Sequence, residues 1–417
     1  MSVQLSEYFD NIFHDFLCAF RKGHGCQTTL LRLIEDWKCA LDQNLHVAAV
    51  LMDLSKAFDC LPHDILLCKL SAYGLSSKSV ELLGNYLSCR SQQVKIQGVL
   101  SSWSSIKKGV PQGSILGPLL FNAFINDIFY FIKQGTLYNY ADENTLSFWH
   151  KNFDKLISVL QEESNVLIKW FKENCMQANP SKFQAIAVGM KTFKREPVFK
   201  IENAEILCEE SVKLLGVDID FKLNFECHIS NICRKAAQQL NVLKRIGVFL
   251  SKTNRLTIFH SFILSHFNFC PMTWHFCSQG STSKMERIQE RALRFIYNDY
   301  QCSYEDLLHR ANLPTLEIKR MRTMAIECFK IIHDLSPNCL SDLVTLKNSS
   351  YSFRYNSILD VPRVRTSTYC KKSFRYASAV LWNELPENLR NESNFTHFKS
   401  LILTWNGETC KCTACSI

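Results

Sequence analysis

The sequence predicts an α+β fold over its first half and an almost entirely helical second half. Two observations carry this reading. Short apolar runs bounded by turn residues recur up to about residue 220, at 47–52, 136–141, 145–148, 185–188 and 212–219, and such runs read as strands. From about residue 223 the apolar residues recur instead at spacings of three and four, the period of helices buried by one face.

Taken in order, Leu5, Phe9, Ile12, Phe16 and Ala19 share one helical face, and Leu30, Leu31, Leu33, Ile34, Trp37 and Leu41 suggest a second helix, so residues 1–45 read as helical. The strand 47–52 ends at Asp53. Pro62 and Asp64 open a helix that Gly74 stops, and another begins over 80–87. Residues 92–97 alternate like a strand, with 104–109 as a segment it can pair with. A Gly/Pro-rich turn leads into a helix over 114–128. The runs 136–141 and 145–148 make a hairpin with Asp142 at its tip. An amphipathic helix follows over 153–173, then strands at 185–188 and 212–219. Helices on one face of a small antiparallel sheet complete the α+β half. Further helices span 227–250, 253–267, 281–298 and 315–333. Residues 336–375 are richer in Ser, Asn and Pro and read as irregular; 377–389 and 395–404 form a last small helical piece.

At 417 residues the chain is long enough for two or three domains with a large core. Its 47% hydrophobic and 21% charged content is that of a globular protein. The net charge of +9 suits a polyanionic partner, although mildly basic globular proteins are common. The N-terminus, Met1-Ser2-Val3-Gln4-Leu5-Ser6-Glu7-Tyr8, has neither a basic leader nor an apolar run, so no secretory signal is visible. The expected setting is intracellular, cytoplasmic or nuclear, with the 19 cysteines reduced and used for packing. No apolar run reaches the roughly 18–20 residues of a membrane span. The longest, 115–132, is interrupted by Gly117, Pro118, Asn122, Asn126 and Asp127.

The chemistry lies in two acidic blocks separated by a Gly/Pro turn. They are Val50-Leu51-Met52-Asp53-Leu54-Ser55-Lys56-Ala57-Phe58-Asp59 and Tyr138-Asn139-Tyr140-Ala141-Asp142-Glu143. Each delivers a carboxylate at or just after a strand end. Carboxylates brought from two strand ends into one cleft are what a two-Mg²⁺ phosphoryl-transfer site needs, since Mg²⁺ prefers oxygen and takes one or two protein carboxylates beside substrate phosphates. In this order the blocks resemble the palm of the reverse transcriptase of a non-LTR (LINE-type, jockey-like) retrotransposon. Four further motifs extend the resemblance over most of the chain. Phe20-Arg21-Lys22-Gly23-His24-Gly25-Cys26-Gln27-Thr28 looks like the fingers motif. Gly109-Val110-Pro111-Gln112-Gly113-Ser114-Ile115-Leu116-Gly117-Pro118-Leu119-Leu120-Phe121 looks like the template and nucleotide grip. Asn179-Pro180-Ser181-Lys182 resembles the lysine motif, and Leu214-Leu215-Gly216-Val217 the primer grip.

The resemblance implies a right-hand polymerase: fingers and palm over 1–222 with an antiparallel palm sheet, a helical thumb over 223–335, and a C-terminal region over 336–417. It implies RNA-directed DNA polymerase activity, with Mg²⁺ or Mn²⁺ as cofactor and RNA template, DNA primer and dNTPs as partners; no membrane or specific protein partner is expected. Asp53, Asp142 and Glu143 become the catalytic, metal-holding carboxylates, with the Leu54 carbonyl as a further oxygen. Asp59 reads as a residue that caps or orients the following turn. Phe58 stands where the family has the ring that rejects a 2′-hydroxyl, although a core Phe would read the same.

Gln112 and Gly113 suit nucleotide contact: glycine lets backbone approach, and an amide side chain can bond a sugar or base without choosing sequence. Arg21 and Lys22 are candidates for the triphosphate or template. Lys182 could steer pyrophosphate or be a plain surface lysine, and Leu215-Gly216 would meet the primer. Lys284, Arg287, Arg291 and Arg294 form a basic stripe beside the apolar Met285, Ile288, Ala292 and Ile296. Such a stripe can track a duplex backbone, or be a solvated face, with Glu290 pairing Arg294 at i,i+4. Cys410, Cys412 and Cys415 offer three thiolates for Zn²⁺ without an evident fourth ligand.

Two features depart from the family. Glu143 stands in place of an aspartate, one methylene longer. The chain begins just before the fingers motif, so the resemblance implies an N-terminally truncated copy with incomplete fingers. The alternative function is a catalytically degenerate remnant that still binds nucleic acid.

Overall fold

The computed structural model describes residues 2–189, 197–347 and 358–408. It divides into two compact units, one of residues 1–29 and 45–210, the other of residues 30–44 and 211–417.

In chain order the first unit holds α1 (Ser2–Asp10), the start of α2 (Cys26–Asp42), β1 (His46–Ser55), the short α3 (Ala57–Cys60), α4 (His63–Ala72) and α5 (Ser77–Leu87). Four two-residue strands follow: β2 (Ser91–Gln92), β3 (Lys95–Ile96), β4 (Val99–Leu100) and β5 (Ser104–Ser105). Then come α6 (Leu116–Ile125), β6 (Thr136–Tyr140), β7 (Glu143–His150), α7 (Phe153–Glu173), β8 (Gln177–Ala178), β9 (Gln184–Val188), β10 (Val198–Ile201) and β11 (Ala204–Leu207). The main sheet is antiparallel with β1 at its centre. β7 pairs along one edge of β1, and β6 pairs with β7. On the other edge β9 takes residues 47–51 of β1, and β8 takes Leu54 and Ser55.

β1 is buried without a break from Val47 to Met52 and first reaches solvent at Asp53. A sheet covered on one face would show alternation; β1 is covered on both. This explains why the strand reads as a continuous apolar run. Ala48, Val50, Met52 and Leu54 of β1 join a core with Phe121, Phe124, Leu160, Ile168 and Phe171.

Local chemistry accounts for most boundaries. Ser76 caps α5 and Asn152 caps α7, each accepting from a backbone amide three residues on. The helix expected to run on from Phe9 to Ala19 stops at Asp10: the His14 amide turns to Asn126, and Leu17 forms a β-bridge to Asn139. The strand expected over 92–97 is broken. β2 pairs with β5, while β3 and β4 make their own hairpin around Gln97-Gly98, both at positive φ.

The second unit opens on a hairpin, β12 (Ser211–Leu214) and β13 (Val217–Asp220), where the sequence reads as one strand over 212–219. Leu215 and Gly216 form its turn, both at positive φ, a conformation periodicity cannot register. The helices are α8 (Glu226–Gly247), α9 (Lys252–Ile258), α10 (Leu264–Asn268), α11 (Pro271–Trp274), α12 (Gln279–Tyr297), α13 (Tyr304–Ala311), α14 (Leu316–Ile332), α15 (Phe374–Glu384), α16 (Glu387–Arg390) and α17 (Phe395–Thr404). A π-helical turn at Phe259–Ile263 links α9 and α10 where the sequence reads as one helix. Pro386 separates α15 from α16.

Residues 30–44, most of α2, belong to this unit, and its charged residues are buried with its apolar ones. Glu35 accepts from the Phe374 and Arg375 amides at 2.6 and 3.0 Å. Asp42 accepts from the Arg365 and Thr366 amides at 3.1 and 2.7 Å. All sixteen cysteines among the described residues are free thiols, and no described helix is long and apolar enough to cross a membrane.

Candidate active site

The first acidic block leaves β1 at Asp53, which stands directly across from Glu143, the first residue of β7. Opposed residues of an antiparallel pair project to the same face. Asp142 is the second of the two turn residues between β6 and β7. Its carbonyl accepts the Leu54 amide at 3.3 Å, which ties the turn to β1 one residue past Asp53. Burial first, and the neighbouring Asp53 charge with it, hold the Asp142 carboxyl above its ordinary value of 3.8.

Like charges directly across a sheet repel, and among the described residues neither Asp53 nor Asp142 has a Lys or Arg ion-pair partner. A hard, oxygen-seeking cation fits this donor set. The three carboxylates do not all come within 4.8 Å of one another, so they are not a closed three-acid cage. One or two carboxylates with open positions is the pattern Mg²⁺ adopts beside phosphates.

The turn that carries Asp142 is held by two buried asparagines that sequence reasoning passed over. Asn139 Nδ2 donates to the Ala141 carbonyl at 2.8 Å and to Asn144 Oδ1 at 2.9 Å; Asn144 Nδ2 donates to the Asp142 carbonyl at 3.2 Å. The Asn139 backbone is tied at both groups, its amide to the Phe16 carbonyl and its carbonyl to the Cys18 amide. Ala141 sits at φ +56°, costly for a residue with a Cβ, and these bonds hold it there. The legible signal was a pair of amides flanking the hairpin turn that carries Asp142. Upstream, the buried carboxylate of Glu163 accepts the amides of Lys133, Gln134 and Gly135 at 2.9, 2.7 and 2.7 Å, fixing the entry into β6.

A few residues past Asp53, residues 58–63 are met by residues 109–112. The Gly109 amide donates to the Leu61 carbonyl at 2.7 Å and the Val110 amide to the Phe58 carbonyl at 2.9 Å. His63 Nε2 lies 2.7 Å from the Gly109 carbonyl. Gly109 has φ +84°, and a Cβ there would fall 2.8 Å from the Asp59 carbonyl, so only glycine allows this approach. Gln112 Nε2 donates to Asp59 Oδ1 at 2.8 Å. Phe58 is half-buried, stacked on Phe121 at 4.2 Å and met edge-on by Phe20 at 5.9 Å. Gly113, at φ +80° with open space around it, is exposed.

Other expected site residues are placed differently. Arg21 is folded inward: it bonds Asp10 at 3.0 Å and the carbonyls of His14 and Leu17 at 2.9 and 3.1 Å, and its side chain is only 8% exposed. That makes it a structural tie and corrects its expected contact with triphosphate or template; Lys22 beside it is exposed. Lys182 is exposed in a single 3₁₀ turn shortly after β8, whose Ala178 pairs with Leu54.

In the second unit, Leu215 and Gly216 form the β12–β13 turn. Lys284, Arg287 and Arg291 are exposed along α12. Arg294 instead bonds Glu290 at 2.7 Å and the Tyr300 and Cys302 carbonyls at 3.0 Å each, which takes it out of the stripe. Cys410, Cys412 and Cys415 lie outside the described residues.

Comparison with known proteins points the same way. The family described as "Reverse transcriptase (RNA-dependent DNA polymerase)" matches residues 1–219. The chain is 27% identical over 324 residues to the "Probable RNA-directed DNA polymerase from transposon BS" of Drosophila melanogaster, covering 73% of this chain and 35% of that protein. It is 25% identical over 292 residues to the corresponding X-element protein of the same fly, covering 68% and 32%. To the "RNA-directed DNA polymerase from mobile element jockey" it is 24% identical over 224 residues, covering 52% and 24%. The chain thus spans about a third or less of the length of these relatives. Among solved structures it is similar to telomerase from Candida albicans in complex with a fragment of telomeric RNA, at 13% identity and a TM-score of 0.40, covering 75% of this chain and 57% of that one.

Proposed function

The chain belongs to the reverse transcriptase family, of the jockey-like non-LTR kind, and from that premise we propose that it is an RNA-directed DNA polymerase adding dNTPs to a DNA primer on an RNA template. The observation that carries the reading is the acidic end of the sheet: Asp53 opposite Glu143, with the turn of Asp142 tied to β1 one residue past Asp53. Asp53 and Asp142 would hold a divalent ion, Mg²⁺ by its match to this oxygen donor set, with Mn²⁺ as the alternative. Such an ion, when bound, lowers the pKa of a primer hydroxyl and neutralises charge on pyrophosphate.

The chain's own residues do the rest. Leu54 can add its carbonyl to the oxygen set. Phe58, backed by Phe121, sets a wall where a sugar would lie. Gln112 and the backbone at Gly113 face a nucleotide without selecting its base. Lys22 and Lys182, both exposed, can meet phosphate charge. Lys284, Arg287 and Arg291 give a basic face for sequence-independent phosphate contact.

Primer extension by the purified chain on an RNA template tests this. Extension that needs a divalent ion and disappears in Asp142→Ala is the expected result. A chain that binds primer–template but never extends it, with Mg²⁺ or Mn²⁺, would instead be the degenerate binding remnant.

A further inference from the structure

In the sequence Asp59 reads as a residue that caps or orients the following turn. It lies on α3 one residue after Phe58, and its carboxylate reaches across to Gln112 Nε2 at 2.8 Å. That bond is the outermost of a series joining residues 58–63 to 109–112. Inside it come the Val110 amide on the Phe58 carbonyl, the Gly109 amide on the Leu61 carbonyl, His63 on the Gly109 carbonyl, and Gly109 packed without a Cβ on Asp59 itself. Backbone bonds therefore fix where the turn sits. Among the described residues, the Asp59 contact is the one hydrogen bond that fixes where the Gln112 side chain points.

We propose that Asp59 is a positioning residue which holds Gln112 in register with Phe58, so that one rigid element presents both to the incoming nucleotide. This rests on the polymerase reading above. A glutamine has three side-chain torsions and, when exposed, samples many rotamers. Anchoring one N–H removes most of that freedom before a nucleotide arrives. Among the described residues the bond leaves the Gln112 carbonyl oxygen and its second N–H unused, one acceptor and one donor, which suits a sugar hydroxyl or a base edge of any identity. Because Phe58 and Asp59 are consecutive, the sugar wall and the amide move together.

The test uses the full chain on a primer–template whose primer ends in a dideoxynucleotide, so that dTTP binds opposite adenine without reacting. Two quantities are read in the parent, Asp59→Ala and Asp59→Asn: dTTP affinity, and backbone amide exchange of the peptide spanning 109–117. Asp59→Ala should weaken dTTP roughly five- to tenfold, as loss of one charge-assisted hydrogen bond would, speed exchange of that peptide, and leave primer–template affinity unchanged. Asp59→Asn keeps an oxygen acceptor and should restore most of both. Unchanged exchange in Asp59→Ala would show that the contact does not hold the turn and overturn the proposal. Faster exchange with unchanged dTTP affinity, or equal losses of dTTP and primer–template affinity, would overturn it as well. A parent that binds primer–template but no dTTP removes the polymerase reading itself, and the role of Asp59 with it; the exchange data separate that case from a missing latch.

Discussion

Asp142 carries a cost in stability that the proposed divalent ion would offset. Its pKa is held above 3.8 in the fold, by burial and by Asp53. Between 3.8 and that raised value the folded chain binds more protons than the unfolded one, so this group's contribution to stability is full below 3.8 and is lost as pH rises through the window. At neutral pH the ionised pair is a standing cost. Asp142→Asn is therefore expected to raise the metal-free melting temperature at pH 7, by roughly 1–3 °C, with the gain shrinking toward pH 4. The same variant should lose the thermal shift that Mg²⁺ gives the parent. Melting curves at both pH values, with and without Mg²⁺, check both signs.

Glu143 invites the opposite experiment. Its backbone is pinned by pairing to Tyr140 and Asp53, so Glu143→Asp retracts the carboxylate by one methylene without moving the strand. Turnover in primer extension should rise, with template affinity nearly unchanged, because only transition-state geometry alters. A tenfold gain would correspond to about 1.4 kcal/mol. Unchanged turnover would mean Glu143 is not a limiting ligand.

At the scale of elements, the loop before β6 depends on a residue far along the chain. Glu163 on α7 is 6% exposed and, among the described residues, is the sole partner of three consecutive loop amides. Glu163→Ala should leave those donors unmet and cost about 2–4 kcal/mol in urea unfolding. Gly135→Ala should do comparable damage for a steric reason: a Cβ at Gly135 would fall 2.5 Å from Glu163 Oε2. Both should also slow extension, since this loop feeds the hairpin carrying Asp142. Neither dependence could be read from the sequence, where Glu163 is one more polar position on a helix and Gly135 an ordinary loop glycine.

For the whole molecule, the net charge of +9 bears on nucleic-acid affinity only through cations that are free to meet phosphate. Of the four in the α12 stripe, Lys284, Arg287 and Arg291 are exposed and Arg294 is engaged inside its own unit. Removing the three together should lower the slope of log affinity against log salt by about 2–3. Arg294→Ala should leave that slope unchanged and instead lower stability, because the Tyr300 and Cys302 carbonyls lose their donor. Binding titrations at several salt concentrations, paired with melting curves, separate the two outcomes.

The sequence by itself determined what depends on neighbours along the chain. Asp53 at the end of an apolar run, the hairpin with Asp142 at its tip, the glycines at 109 and 113, and helices such as α7 and α12 follow from periodicity, caps and turn chemistry, which act within a few residues. That is why the family and the acidic pair were legible. Tertiary structure decided which polar groups are spent on the fold. Arg21 and Arg294 look like ligand contacts in sequence and are ties in space. Asn139, Asn144 and Glu163 look incidental and hold the site's backbone. α2 is the clearest case: Glu35 and Asp42 pattern as a solvated face, yet they are buried because the chain returns more than 300 residues later with amides for them to accept. A buried carboxylate needs such partners, and no local spacing announces where on the chain they will come from.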